Sequence, residues 1–251
     1  MSEFPDPAWT ATVVGHHRLR NDLAVIRLIG DFVPFAAGGS VEVEVPQHPG
    51  VRRRYSPALP PSLDGKLEFH VRTVPGGWCS DSIVSDTKPG DQWRIHAPYG
   101  VFRIDPEAAE VVMIAGGTGL APMRAQILDL ARRETPPRTY LFYGGRSPRD
   151  LYASDMLFLL AGELPWLTVI PVVESADDPA IRDEWHEQTR SDIGFAPEEM
   201  LYGTLADVAA THGPFAQQQV LVCGSPAMVR TTVDRLLESG TPPENIRSEG
   251  A

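Results

Sequence analysis

The stretch VVMIAGGTGLAPMR, residues 111–124, runs from a short apolar segment into three glycines, Gly116, Gly117 and Gly119, and then into Pro122. A strand that enters a glycine turn and leaves as a helix is a nucleotide-phosphate device. Glycine lets the backbone turn tightly and approach a phosphate, whose charge meets the free N–H groups of the helix start. Such a helix end stabilises an anion by about 0.3–1 kcal/mol, and by about 2 when partly buried. Alone the turn is weakly specific, because glycines at 116 and 117 also let a helix pack against its strand. Pro122 stands where a dinucleotide-binding fingerprint has its third glycine. In the first turn of a helix no donor is required, so a proline there marks a helix start and not a break. The acidic ribose reader of an ordinary dehydrogenase is missing as well, since Gly144, Gly145 and Arg146 follow LFY.

The same rhythm continues outward from the turn. VVMIA leads into a helix through about Arg133, TYLFYGG into a helix near 152–162, LTVIPVV stands alone, and QVLVCG leads into a helix over about 225–239. Strands alternating with helices mean parallel pairing with right-handed crossovers. Before APYGVFRID the pattern differs: β-rich segments at 9–16, 22–29, 41–45, 52–58, 67–72 and 92–96 are separated by AAGGS, PQHPG, LPPSLDG and KPG, with one helix-like interruption after Gly77. Six short strands punctuated in this way predict a small antiparallel barrel. The expected fold is therefore a six-stranded antiparallel β-barrel over residues 6–104 followed by an α/β parallel-sheet domain over 105–251. Residues 175–200 form an acidic, irregular insertion.

Composition narrows the function. The 251 residues are 42% apolar and 22% charged, and no apolar run approaches the roughly 18 residues of a membrane span. Residues 1–8, MSEFPDPA, lack a secretory signal, so a cytoplasmic location is expected. A net charge of −11 argues against nucleic acid as a partner, with Arg52, Arg53 and Arg54 as a local basic exception. Two cysteines, Cys79 and Cys223, cannot ligate a plant-type iron–sulfur cluster, which takes four, and the seven histidines lack metal-ligand spacing. No metal is expected.

Five motifs in order, RRYSPA (53–58), GGWCS (76–80), GGTGLAP (116–122), FYGGR (142–146) and VCGSPAM (222–228), resemble the ferredoxin-NADP reductase family of flavoproteins. The resemblance covers nearly the whole chain, and RRYSPA with LEFHVRTVPGGW is most similar to the reductase half of bacterial flavohaemoglobins. It implies FAD in the first domain and a nicotinamide dinucleotide in the second. Alternation along the strand puts Arg54 and Ser56 on one face and Tyr55 on the other. The resemblance then implies that Arg54 pairs with the FAD pyrophosphate, Tyr55 stacks on the flavin ring and Ser56 approaches the flavin N5, with Pro57 beside them. Gly76, Gly77 and Ser80 would form a second phosphate cradle, and His70, Val71 and Arg72 would line the FAD site. Trp78 either shields the flavin or plugs the barrel.

In the second domain Gly117, Thr118, Gly119 and Pro122 would meet the dinucleotide phosphates, and Gly144 to Arg146 its adenosine half. Cys223 resembles the family cysteine beside the nicotinamide, its plain alternative being a small buried hydrophobe. Gly224 and Pro226 would admit the dinucleotide. Tyr55, Ser56, Cys223 and Glu249 are the expected catalytic residues, although an acid near a terminus is by default a surface residue. The closing IRSEGA departs from the family, because Ala251 stands where relatives end in an aromatic. Arg146, Arg149 and Tyr152 suit a 2′-phosphate and Asp150 opposes one, and the GGR stretch resembles NADH users, so NADH is favoured over NADPH. With only eight residues ahead of the first strand no fused globin is expected, and the electron acceptor is an external haem protein, ferredoxin or oxygenase component. A flavin-free dehydrogenase is opposed by RRYSPA, and a non-catalytic flavin-binding redox sensor or regulatory subunit is the remaining alternative.

Overall fold

The computed structural model describes residues 8–100, 102–176 and 194–250. They divide into two compact units: the described residues up to Arg103 with Ala121–Arg132, and Ile104–Leu120 with those from Arg133 onward. The expected domain start at residue 6, residues 177–193 of the acidic insertion and the terminal Ala251 lie outside the described residues.

In the first unit Ala8–Arg20 (β1), Leu23–Gly30 (β2), Ser40–Glu44 (β3), Arg52–Tyr55 (β4), Lys66–Arg72 (β5) and Gln92–Tyr99 (β6) form one antiparallel sheet in the order β4-β3-β6-β1-β2-β5. Alternation drives it: Val41 and Val43 of β3 are buried while Glu42 and Glu44 lie partly in solvent. Phe69 stacks on the fully buried Trp93 at 5.9 Å, an aromatic pair that contributes about 0.5–1.5 kcal/mol beyond its buried area. The helix expected after Gly77 is Trp78–Asp86 (α1). Trp78 does not plug the sheet: it is half exposed, and Trp93 fills the core.

The strand expected over 52–58 pairs only as far as Tyr55, because Pro57 has no N–H to offer a ladder. The two end strands are instead joined beyond β4, where the Ala58 N–H donates to the Glu68 carbonyl at 2.7 Å. Arg124 of the helix Leu120–Leu130 (α2) reinforces that seam. Its Nη1 donates to the Ala58 carbonyl at 2.7 Å and to Glu68 Oε1 at 2.9 Å. Arg27 Nε donates to Glu68 Oε2 at 2.8 Å, and His70 Nε2 lies 3.1 Å from Oε1. A carboxylate only accepts, so the imidazole places its proton on Nε2. Burial opposes ionisation of Glu68, but the His70 hydrogen bond, the Arg124 charge and the Arg27 hydrogen bond outweigh it and hold the carboxyl down at about 2.

The second unit is a parallel sheet of Glu110–Gly116 (β7), Arg138–Gly145 (β8), Leu167–Val173 (β9), Leu201–Tyr202 (β10), Gln219–Gly224 (β11) and Ile246–Gly250 (β12), in the order β10-β9-β8-β7-β11-β12. Ser154–Glu163 (α3), Leu205–Thr211 (α4) and Pro226–Glu238 (α5) accompany it. The antiparallel six-stranded sheet followed by a parallel α/β sheet is the expected fold, while α4, β10 and β12 were not foreseen. Among the described residues no helix is long and apolar enough to cross a membrane, and no group of three or more His, Cys, Asp or Glu side chains is arranged to hold a metal ion.

Ala97 has φ +27, where a Cβ is crowded, at the shift in β3–β6 register between Ser40 and Glu42. Ala97→Gly is expected to raise stability by about 1 kcal/mol, about 2–4 °C in a thermal melt, and an unchanged or lower Tm would show that the position carries no strain. Glu68 sits lower in the folded chain than its ordinary 4.5, so its contribution is complete above that value and is lost as the pH falls to about 2. Glu68→Gln is therefore expected to melt below the wild type at neutral pH, with the two curves converging on acidification. A gap independent of pH would mean that the ionised carboxylate is not what Arg27 and Arg124 hold.

Candidate functional site

In the second unit the strand order reverses at β7 and β11, and open α/β sheets bind ligands outside the carboxyl ends of the strands at that point. Gly116 ends β7, Gly117–Gly119 make a single 3-10 turn, and α2 begins at once with the Leu120 N–H bonded to the carbonyls of Gly117 and Thr118. Gly117 has φ +55, which favours glycine. A Cβ on Gly119 would stand 2.3 Å from the Cys223 carbonyl oxygen, so no side chain fits there. Pro122 falls in the first turn of α2, as its missing N–H requires.

Cys223 on β11 registers with Ala115 of β7 on one side and with Glu249 of β12 on the other. Two of the four expected catalytic residues are thus neighbours. Cys223 is buried, and that burial, followed by the Glu249 charge, pushes its thiol up to about 12. It is a neutral thiol and not a nucleophile. Glu249 is half-buried because β12 is a full strand of the sheet. Met228, quoted within VCGSPAM without a role, is the residue that sequence reasoning missed here. A Cβ on Gly116 or Gly224 would lie 2.7 or 2.2 Å from its Cε, and Thr232 Oγ1 donates to its sulfur at 3.2 Å. Gly224 thereby makes room for a thioether at the strand ends. Pro226 opens α5, whose cap Ser225 accepts from the Met228 N–H at 3.3 Å.

Gly144 has a packing reason, since a Cβ there would stand 2.7 Å from Leu205 of α4. After β8, Asp150 Oδ2 accepts from the N–H groups of Arg146 and Ser147 at 3.2 and 3.3 Å, while the Arg146 side chain is exposed. This turn presents a carboxylate beside its arginines, and Tyr152 meets Tyr143 edge to face at 6.2 Å.

The first unit carries a second set of donors. Gly77 is the cap of α1, and no side chain bonds to the first-turn N–H groups. A Cβ on Gly77 would collide with Val74 at 2.4 Å, whereas one on Gly76, at φ +75, would meet nothing within 4 Å. Ser80 Oγ donates to the Gly77 carbonyl at 2.8 Å, which leaves the backbone as the donor at this helix start. Arg53 lies over the Trp78 ring at 5.3 Å, and His48 meets the same ring edge to face at 4.5 Å. The Arg54 guanidinium covers the Tyr99 ring at 4.2 Å. Among the described residues neither Arg53 nor Arg54 has a carboxylate within ion-pair distance. Arg53 and Arg54 are successive residues of β4 and leave opposite faces of the strand, so of the two only Arg53, through Trp78, stands at the uncapped helix start, where its charge and the free N–H groups fit a phosphate.

The remaining expected residues divide between surface and core. Tyr55 is half-buried, edge to face with Phe69 at 6.4 Å, and burial pushes its phenol up. Ser56 is half-buried and Pro57 buried. Val71 belongs to the core, so only its backbone can face a ligand; Arg72 Nε lies 3.4 Å from Asp22. His70 is buried on Glu68, which lowers its exposure to any ligand, and burial holds its pKa below the ordinary 6.5 despite that carboxylate.

The chain matches the oxidoreductase FAD-binding domain family over residues 13–104 and the oxidoreductase NAD-binding domain family over 113–234. It is 34% identical to the reductase component of a phenol 2-monooxygenase from Pseudomonas sp. (strain CF600), over 82% of this chain and 54% of that protein. It is 31% identical to the reductase subunit of an aromatic O-demethylase from Amycolatopsis sp., over 96% of this chain and 68% of that one. Across the first relatives it spans about half to two thirds of their length, from 47% to 68%. Among solved structures it resembles an Amycolatopsis cytochrome P450 reductase with a TM-score of 0.80 at 29% identity, covering 100% of this chain and 71% of that one. The flavohaemoglobin-like FAD/NAD-binding domain of a nitric oxide dioxygenase from Vibrio cholerae shares the fold, with a TM-score of 0.76 at 17% identity over 98% and 99% of the two chains. The chain belongs to the ferredoxin reductase-type family of oxidoreductases, with an FAD-binding domain followed by an NAD-binding domain.

Proposed function

We propose that this chain is an NADH-dependent flavin reductase that delivers electrons to an external acceptor, an oxygenase component, ferredoxin or haem protein. The observation that carries the reading is that each unit has its own anion-ready backbone: the uncapped α1 start with Arg53 beside it in one, the Gly117–Gly119 turn in the other. When bound, FAD supplies the redox chemistry, accepting a hydride from NADH and releasing electrons singly or as a pair. The protein contributes placement. Arg53, which lies on Trp78 at the α1 start, and the N–H groups at Trp78 to Ser80 would receive phosphate oxygens of FAD, with Arg54 on the opposite face of β4, while Tyr55, Ser56 and the backbone of 70–72 would border the flavin ring. Gly117, Thr118, Gly119 and Pro122 receive the dinucleotide phosphates. Cys223 offers a small uncharged wall beside the nicotinamide, with Glu249 behind it as the nearest acid.

Asp150 supports NADH over NADPH. A 2′-phosphate that approached Arg146 would also meet the carboxylate bonded to that residue's own N–H. One relative named above is the reductase component of a phenol 2-monooxygenase and another the reductase subunit of an aromatic O-demethylase, which supports an oxygenase component as the acceptor. A cytoplasmic setting goes with this reading, since NADH is its reductant and both cysteines are free thiols.

The decisive experiment is an anaerobic visible spectrum of the FAD-supplemented protein before and after each nucleotide. NADH is expected to bleach the flavin bands within seconds, and NADPH at least about tenfold more slowly, the factor that about 1.4 kcal/mol makes. Bands that persist with both nucleotides would sink the reductase. Gly119→Ala, which forces the turn off the Cys223 carbonyl, is expected to lower kcat/KM for NADH by about 100-fold while FAD stays bound, and an unchanged value would remove the turn from the site.

A further inference from the structure

Residues 56–61, SPALPP, carry three prolines, Pro57, Pro60 and Pro61, and therefore offer few N–H groups to any ladder. What they have is carbonyls. Two arginines of one stretch take them: Arg124 Nη1 donates to the Ala58 carbonyl at 2.7 Å, and Arg132 Nη1 to the Pro61 carbonyl at 3.3 Å. Both arginines belong to Ala121–Arg132, the stretch that groups with the first unit. Arg124 is the stronger of the two, with a side chain 15% exposed, and its Nη1 also bonds Glu68, whose carboxylate holds His70.

We propose that Arg124 is a positioning residue for the flavin site, clamping the segment after Arg54-Tyr55-Ser56 against the strand that carries His70, with Arg132 as a weaker second clamp. This rests on the flavin reading above but adds residues that neither the motifs nor the resemblance includes. The two segments otherwise share one backbone hydrogen bond, Ala58 N–H to Glu68 O. A single guanidinium nitrogen bonded to both therefore sets how far apart they stand. Tyr55 and Ser56 lie two or three residues upstream of Ala58, too near to move independently of it. Because Nη1 alone makes both bonds, the planar fork is not required. A lysine ammonium, with three donors on one atom, can reproduce them.

FAD titrations monitored by the visible spectrum test the clamp. Arg124→Met is expected to weaken FAD binding at least about tenfold and to shift the bound-flavin bands toward those of free FAD, the loss of a charge-assisted bond to a buried group. Arg124→Lys is expected to retain affinity within about threefold, and Arg132→Ala to have a smaller effect than Arg124→Met. Wild-type affinity and spectrum in Arg124→Met would overturn the proposal. So would Arg124→Lys binding as weakly as Arg124→Met, and should the methionine variant not fold, Arg124→Gln, polar but without the charge, takes its place in each comparison with the same expected and overturning results. Amide exchange at Ala58 in the flavin-free protein reads the clamp independently of any cofactor. It is expected to accelerate at least about tenfold in Arg124→Met relative to Arg124→Lys, and equal rates would overturn the clamp. A wild-type protein that takes up no FAD would defeat the flavin reading, and the exchange rates would still judge Arg124.

Discussion

Residue 119 has no side chain because the carbonyl oxygen of Cys223 is there: a Cβ would approach it to 2.3 Å. That contact lets the turn after β7 lie directly against the end of β11, with no side chain of residue 119 between them. The neighbouring contacts continue the theme. Met228 reaches over Gly116 and Gly224, so two more positions at the same strand ends are cleared of side chains by a thioether. Thioethers adapt to irregular gaps, which suits a residue that must pack against bare backbone. Beside them β12 pairs with β11 and brings Glu249 next to Cys223, where its charge adds to burial in keeping the thiol protonated.

The first unit solves a different problem. A sheet of six strands has two ends, and proline at 57 prevents β4 from extending far enough to zip onto β5. Closure is left to one backbone bond and to the charged group around Glu68. A buried carboxylate is unfavourable unless its lone pairs are used, and Glu68 uses them on two guanidiniums and an imidazole. Such a group contributes direction more than energy. It defines which carbonyl, which helix and which strand meet, where an apolar seam would tolerate sliding.

Charge also separates the two ends of β4. Arg52 pairs with Glu42, at 3.7 Å, whereas Arg53 and Arg54 rest on aromatic faces. A cation on a ring is not neutralised, and the weak attraction, about 0.5–1 kcal/mol at exposed sites, is easily exchanged for a phosphate, although Arg53 Nη1 also donates to the Arg52 carbonyl at 2.9 Å. Trp78 thus holds the Arg53 guanidinium at the open start of α1 without neutralising it, and Tyr99 does the same for Arg54 on the other face of β4.

β-rich composition and punctuation made the early strands legible: β3 alternates in burial while β2 and β5 carry continuous buried runs, most of the breaks between strands hold glycine or proline, and most observed bounds lie within a few residues of those read from the chain. The strand–turn–helix at 111–124 was legible for the same local reason. Other elements were not. Ile246–Gly250 contains one large apolar residue and is a strand only because β11 supplies its partner. Leu205–Thr211 is two turns long, and its one local signal was Thr204 capping Asp207. Trp78 and Trp93 are chemically identical, and only the packing puts one outside with Arg53 and the other inside on Phe69.

By itself the sequence determined what depends on neighbours along the chain: strand period, helix starts, the glycine turn, the absence of a cysteine set for a cluster, and the order of motifs that marks the family. Only the tertiary structure decided what depends on residues far apart. Arg27 and Arg124 lie 41 and 56 residues from Glu68, and nothing local to any of the three announces the others. Glycine at 119 is visible in the sequence, but the carbonyl that demands it belongs to a strand a hundred residues later, and a close approach of that kind exists only once the chain has folded.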